Sequence, residues 1–250
     1  MRLTRIFVES KLASGDVLLL PPGPAQHLSR VLRLQAGAAL RVFNGRGGEF
    51  DATIESLRRD AVTLRVSTQH VVERESPLQI TLLQGIARGE KMDLILQKAT
   101  ELGVTAVVPL TTARSTVKLD DKTALRKQAH WQGVVIGACE QSGRNRIPAI
   151  ATPLGLAAAA AADTSSLKLL LAPDDGAGTL KTLLQTAARA DAALQISLLV
   201  GPEGGFDPQE TEIAKQAGFQ PCRLGPRVLR TETAALTALA ALQSLAGDLT

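Results

Sequence analysis

The sequence predicts an α/β chain in which a small β-rich module precedes a larger domain built on a parallel sheet. From Pro77 onward, short and almost wholly apolar runs alternate with helical patterns. That rhythm is expected of parallel strands buried on both faces, with crossover helices between them. Before Pro77, short strands and tight turns surround one small helix. The polar stretch Glu73-Arg74-Glu75-Ser76-Pro77 is the expected linker.

In the first module, residues 6–8 and 17–20 read as strands. Pro21-Pro22-Gly23-Pro24 is a turn cluster leading into a helix over about 25–34, with Gly37 soon after its end. Strands follow at 39–43, 49–55 and 61–71, with a hairpin signal at Asn44-Gly45. In the second domain the expected strands are 80–83, 106–108, 167–171, 196–200 and 222–224. A helix over 90–102 buries Met92, Ile95, Ala99 and Leu102 and stops at Gly103. A longer helix over 121–141 carries Trp131, Val134, Val135 and Ala138 at core spacing, with Lys122, Arg126 and Lys127 on its other side as a solvated face or an RNA contact. An Ala-rich helix ends the chain.

Composition narrows the function. The 250 residues are 45% hydrophobic and 21% charged, the balance of a globular protein. Aromatic residues make up only 2%, which argues against nucleic-acid binding on stacked aromatic platforms. No apolar run approaches the roughly 18 to 20 residues of a membrane span, and the start MRLTRIFVES has no signal-peptide run, so a cytoplasmic protein is expected. Cys139 and Cys222 stand alone, and His27, His70 and His130 are scattered, so two buried thiols are expected and no metal site. Charge is uneven. Residues 1–76 hold eleven basic against eight acidic side chains and 77–150 ten against six, whereas 151–250 hold seven against ten. The first 150 residues are therefore the expected side for a polyanion.

Ligands in open α/β sheets sit beyond the carboxyl ends of the strands, and three such ends here carry unusual turns. The first is Ala172-Pro173-Asp174-Asp175-Gly176. The second, Gly201-Pro202-Glu203-Gly204-Gly205-Phe206, allows close backbone approach and runs into Asp207-Pro208-Gln209-Glu210, a capping box that opens a helix. The third is Gly225-Pro226-Arg227-Val228-Leu229-Arg230-Thr231-Glu232-Thr233, with Thr231 as the expected N-cap of the last helix. Val228 and Leu229 either line an adenine pocket or anchor the loop, and Arg230 is either a helix-surface cation or a catalytic electrostatic group. Neither G-x-G-x-x-G nor a P-loop is present. A fourth cluster, Glu140-Gln141-Ser142-Gly143-Arg144-Asn145-Arg146-Ile147-Pro148, suits phosphate or base contacts, or else is an ordinary helix end with Gly143 left-handed.

Taken together, these motifs resemble the ribosomal RNA small subunit methyltransferase E family, of the SPOUT class. The resemblance rests on Leu224-Gly225-x-Arg227-Val228-Leu229-Arg230-Thr231-Glu232-Thr233-Ala234 with the Gly201–Phe206 turn upstream, and on residues 91–104. It extends to Arg114-Ser115, Glu140-Gln141-Ser142 with Arg144 and Ile147-Pro148, and to His27, Val31-Leu32-Arg33, Gly37 and Phe43-Asn44-Gly45 in the first module. Arg88, where a Lys is usual, and Ala38, where an acidic residue is common, depart from the pattern.

The resemblance implies a PUA-like RNA-binding β-barrel over 1–73 and a SPOUT methyltransferase domain over 77–250 with a C-terminal trefoil knot. It implies a homodimer that uses S-adenosylmethionine to methylate N3 of a uridine in the decoding region of 16S ribosomal RNA, within the assembled small ribosomal subunit. The cofactor would be held in a bent conformation by Leu171, Ala172, Pro173, Val200, Gly201, Pro202, Glu203, Gly204, Leu224, Gly225, Val228, Leu229, Thr231 and Ala234. Uridine N3 must lose its proton for attack, and the charge left on the base needs a cation. Arg230 is the expected cation, with Glu203, Glu232 or a water accepting the proton. Arg30, Arg33, Arg114, Arg144 and Arg146 are the expected RNA contacts. Two other readings are a non-catalytic RNA-binding ribosome-assembly factor and an α/β enzyme acting on a small nucleotide.

Overall fold

The computed structural model describes residues 3–58, 61–115, 120–172, 176–188 and 194–249, in two compact units. The first comprises Met1–Glu75 together with Cys139–Ile147. Its strands are β1 (Arg5–Phe7), β2 (Val17–Leu19), β3 (Ala39–Phe43), β4 (Glu49–Arg58) and β5 (Ala61–His70), in the order β1-β3-β4-β5-β2. β1 runs parallel to β3, and the other pairs are antiparallel. Alternation along β3 to β5 turns Leu40, Val42, Ala52, Ile54, Val62 and Leu64 inward, onto Ile6, Ala25 and Leu28.

The helix expected over 25–34 is a composite. α1 (Pro22–Gln26) begins three residues earlier, because proline suits the first helical turn, where its missing N–H costs nothing. A π-helical turn follows at His27–Val31. Just beyond it Arg33 takes φ 51°, the one positive value outside glycine among the described residues.

A buried charge network ties the loop after Gly143 into this unit. Glu49 is fully buried and accepts from Arg5 and Arg41, with Arg74 Nη1 at 3.4 Å. Arg5 Nη2 also donates to Asn145 Oδ1 at 2.7 Å and to the Arg144 carbonyl at 2.9 Å. Arg144 itself is only 5% exposed, and its Nε donates to both oxygens of Glu75 at 3.2 and 3.0 Å. Gly143 has φ 95° and its N–H bonds to the Cys139 carbonyl, which is the left-handed helix end.

The second unit comprises Ser76–Ala138 and Pro148–Thr250. Its main strands are β6 (Gln79–Gly85), β7 (Ala106–Thr111), β10 (Leu167–Leu171), β12 (Gln195–Val200) and β13 (Gln220–Arg223). Three two-residue strands, β8 (Ala149–Ile150), β9 (Leu154–Gly155) and β11 (Gly178–Thr179), were not expected, being too short to show a pattern. All pairs are parallel, in the order β11-β13-β10-β12-β6-β7-β8, with β9 also on β7. Leu82 with Leu83, Leu169 with Leu170, and Leu198 with Leu199 point to opposite faces yet are all buried, so both faces of the sheet are covered.

The helices are α2 (Lys91–Glu101), α3 (Asp121–Ser142), α4 (Leu156–Ala162), α5 (Leu180–Ala188), α6 (Pro208–Gln216) and α7 (Thr231–Ala246). Trp131, Val135 and Ala138 of α3 are core as expected, but Val134 is only half-buried and lines a shallow groove with Leu94 and Gly137. Lys122 and Arg126 are exposed and Lys127 is partly so. Among the described residues, no helix is long and apolar enough to cross a membrane and no cluster of three metal-ligating side chains occurs. Both cysteines are free and buried, and burial pushes their thiols up, to about 12 for Cys139 and about 11 for Cys222.

Candidate active site

β10, β12 and β13 are neighbouring strands, with β10 between the other two, and they end where the three stretches singled out in the sequence begin, residues 173–175 of the first lying outside the described residues. The sheet therefore gathers 171–172, 200–206 and 224–230 at one edge. The Ala172 N–H donates to the Cys222 carbonyl at 3.2 Å, which fixes two of the strand ends together.

The turn after β12 is held from both sides. Asp207 caps α6 by accepting from Gln209 N at 3.0 Å, and Glu210 returns a bond to Asp207 N at 3.0 Å, completing the expected capping box. The other oxygen of Glu210 accepts from Ala113 N at 2.8 Å, and Arg114 Nη1 donates to the Gly204 carbonyl at 3.2 Å. Of the three glycines only Gly205 uses a positive φ, 68°. Gly201 and Gly204 sit in tight places: a Cβ at 201 would lie 3.1 Å from Gly205 Cα, and one at 204 would lie 3.1 Å from Arg114 Cβ. The end of β6 presses on the same turn, since a Cβ at Gly85 would lie 2.5 Å from Pro202 N and Cδ. Gly85→Ala is expected to cost about 1–3 kcal/mol by overpacking. Urea unfolding checks this, and an unchanged midpoint would contradict the close fit.

Thr231 joins the second and third turns. It is not the N-cap expected from its residue type: Arg230 occupies that position with φ −65° and ψ 156°, and Thr231 is the first helical residue. Its hydroxyl is engaged elsewhere, donating to the Gly201 carbonyl at 2.6 Å and accepting from Gln84 Nε2 at 3.0 Å. Gln84 is fully buried and also donates to the Gly85 carbonyl at 2.9 Å. A threonine that would cap an isolated helix is used instead to pin two loops.

Two adjoining cavities open between the turns and share Leu171, Ala172, Val228, Leu229 and Ala234. The first is otherwise walled by residues 222–227. Lys91, Arg114, Val200, residues 201–206, Thr211, Arg230 and Thr231 line the second. Leu171, Ala172, Val200, Gly201, Pro202, Glu203, Gly204, Leu224, Gly225, Val228, Leu229, Thr231 and Ala234 thus all face one cavity or the other. Pro173 lies outside the described residues. An apolar slot bordered by backbone amides continues into a pocket with charged ends, a lining suited to a flat heterocycle carrying a polar, charged tail.

Glu203 and Arg230 line the second cavity, and Glu232 is not among its lining residues. Glu203 Oε1 accepts from Arg88 N at 3.1 Å and lies 3.5 Å from Lys91 Nζ. Burial pushes the Glu203 carboxyl up, but backbone N–H groups of Arg88 and of Glu203 itself, with the Lys91 charge, outweigh it and hold it below the usual carboxylate range. Glu232 Oε1 lies 3.7 Å from the same ammonium, and its Oε2 is buried with no hydrogen-bond partner among the described residues.

Lys91 was not picked out as a site residue. The available signal was its place at the first position of α2, where a cation opposes the helix dipole.

The basic residues divide. Arg30 and Arg33 are exposed on the first unit, and Arg146 is exposed there with its Nε on Glu73 at 2.8 Å. Arg114 belongs to the cavity rim. Arg144 corrects the expectation of an RNA contact, because its guanidinium is spent inside the first unit on Glu75.

A family model described as an RNA methyltransferase domain matches residues 74–243, and one described as an RNA methyltransferase PUA domain matches 25–67. The ribosomal RNA small subunit methyltransferase E of Buchnera aphidicola subsp. Schizaphis graminum is 32% identical over 249 residues, which is 99% of this chain and 98% of the relative. That of Bacillus subtilis is 32% identical over 245 residues, 96% of both chains. Among solved structures, a Legionella pneumophila methyltransferase in complex with its cofactor S-adenosylmethionine is similar with a TM-score of 0.93 and 41% identity over 100% of both chains. The ribosomal RNA small subunit methyltransferase E of Neisseria gonorrhoeae bound to S-adenosylmethionine gives 0.89 and 37%, also over 100% of both.

Proposed function

The chain belongs to the ribosomal RNA small subunit methyltransferase E family, and from that premise we propose that it methylates N3 of a uridine in the decoding region of 16S ribosomal RNA. The methyl donor in this reading is S-adenosylmethionine, and the substrate is the assembled small ribosomal subunit in the cytoplasm. The observation that carries the reading is that residues 171–172, 200–206 and 222–231, at adjacent strand ends, wall two adjoining cavities with backbone and apolar side chains. Relatives of 41% and 37% identity were crystallised with S-adenosylmethionine, which supports the same ligand here.

S-adenosylmethionine supplies an electrophilic methyl group when bound. The chain's own residues bind, orient and balance charge. Leu171, Ala172, Val228 and Leu229 form the apolar walls for the adenine ring, and the backbone of 200–204 and 224–225 offers polar edges to the rest. Arg230 stands at the cavity beside Thr231, placed to stabilise the negative charge that spreads over the uracil carbonyls as N3 is deprotonated. Backbone N–H groups and the Lys91 charge hold the Glu203 carboxyl below the usual carboxylate range. Glu203, Glu232 or a water takes the proton in this reading. The trefoil knot and the homodimer belong to the same reading and rest on the resemblance.

Arg30 and Arg33, with Arg114 and Arg146, are the proposed phosphate contacts. Affinity for small subunits is expected to fall steeply with salt, and Arg33→Ala to reduce the slope of log affinity against log salt by about one. A flat salt response would contradict a phosphate-driven interface. The function itself is tested by transfer of labelled methyl from S-adenosylmethionine to purified small subunits, followed by mapping of the modified base. A label at uridine N3 is the expected result. A label on another base would overturn the assignment, and no transfer would overturn the activity.

A further inference from the structure

Lys91 breaks a local rule. It is the first residue of α2, where unpaired N–H groups and the helix dipole favour an anion. Its side chain is 36% exposed, so core packing does not demand it. Positions where a sequence violates local preference without a packing reason are commonly functional.

What the ammonium does is visible in its neighbours. It sits 3.5 Å from Glu203 Oε1 and 3.7 Å from Glu232 Oε1. These carboxylates come from different elements, the turn after β12 and the first turn of α7. The backbone of the same approach to α2 adds a second hold, since Arg88 N donates to Glu203 Oε1 at 3.1 Å. Lys91 also lines the cavity that Arg230, Gly201 and Gly204 line. Without the ammonium, both carboxylates would lose the positive charge that they share, and with it the attraction that draws them to one point.

We infer that Lys91 is a positioning residue of methyl transfer, clamping the Glu203 turn and the Glu232 end of α7 so that Arg230 and the proton acceptor keep their relative places at the cavity. The inference rests on the methyltransferase reading above. It assigns Lys91 no bond to the reacting atoms. Small displacements of reacting groups are costly in rate, because the productive geometry is narrow.

The test compares Lys91→Met, Lys91→Gln and Lys91→Arg with the unaltered protein. It measures single-turnover methyl transfer to purified small subunits at saturating S-adenosylmethionine, calorimetric affinity for S-adenosylmethionine, and thermal unfolding. Lys91→Met is expected to slow transfer by about 30- to 100-fold, with cofactor affinity within about threefold and the fold retained. Lys91→Arg, which can still meet both carboxylates, is expected to recover most of the rate. Lys91→Gln, which keeps a polar side chain but no charge, is expected to be slow as well.

Transfer by Lys91→Met within about threefold of normal would overturn the inference, as would a loss of cofactor affinity that accounts for the whole rate loss. Failure of Lys91→Arg to recover the rate would overturn it too. If Lys91→Met does not fold, Lys91→Gln decides: a normal rate there overturns the clamp, and a slow rate with a normal fold and normal cofactor affinity supports it. An unaltered protein that transfers no methyl group would overturn the methyltransferase reading and the inference with it. An active unaltered protein with an equally active Lys91→Met overturns the inference alone.

Discussion

Replacing Arg230 with alanine is expected to slow methyl transfer by about 10²–10³-fold, the usual penalty for losing one group that stabilises developing charge, while leaving fold and cofactor affinity nearly unchanged. The structure explains the separation. Arg230 is the N-cap of α7 by backbone position alone, and its side chain makes no capping bond, so the helix does not depend on it. It is exposed and faces the cavity beside Thr231. The two turns are joined through Thr231 and Gln84, not through Arg230. Single-turnover kinetics with calorimetry of S-adenosylmethionine binding read the two effects apart. Unchanged turnover would remove Arg230 from the chemistry, and lost cofactor binding would make it a binding residue.

The largest stability effect is expected at Glu49. Glu49→Leu should cost about 3–5 kcal/mol, the range for stripping one partner from a buried ion pair. Glu49 is fully buried, and Arg5, itself only 7% exposed, would keep its bonds to Asn145 and the Arg144 carbonyl but lose its counter-charge. Arg41 and Arg74 would lose the same carboxylate. Pairing the change with Arg5→Met should recover part of the loss, because both buried charges are then gone. Urea unfolding of the two variants measures this. A cost below about 1 kcal/mol for Glu49→Leu would contradict a network that holds the 139–147 segment in the first unit.

What could be read in the sequence follows from the range over which each signal acts. The buried strands β6, β10 and β12 announce themselves as apolar runs, because a parallel strand covered on both faces has no polar side to show. The glycine and proline turns at their ends are equally plain. The capping box at Asp207 and Glu210 is a local pattern with a local cause, and it forms as expected.

Tertiary demands account for the rest. Thr231 has the right chemistry for a cap, but the Gly201 carbonyl, thirty residues away in sequence, competes for its hydroxyl. Arg144 sits in a basic loop that reads as an RNA contact until Glu75 is brought to it across 69 residues. Val134 has core spacing, yet nothing described closes over it, and it lines a groove. Lys91 became meaningful only when Glu203 and Glu232 converged on it. The two-residue strands β8, β9 and β11 are too short for any periodicity.

The central claim is that three loops at adjacent strand ends form one slot for S-adenosylmethionine. A crystal of this protein soaked with that molecule tests it most directly. The expected density places the adenine between Leu171 and Leu229, with the remainder of the molecule running along 200–204 toward Arg230. Density elsewhere, or a slot filled by the protein's own side chains under saturating cofactor, would contradict the account.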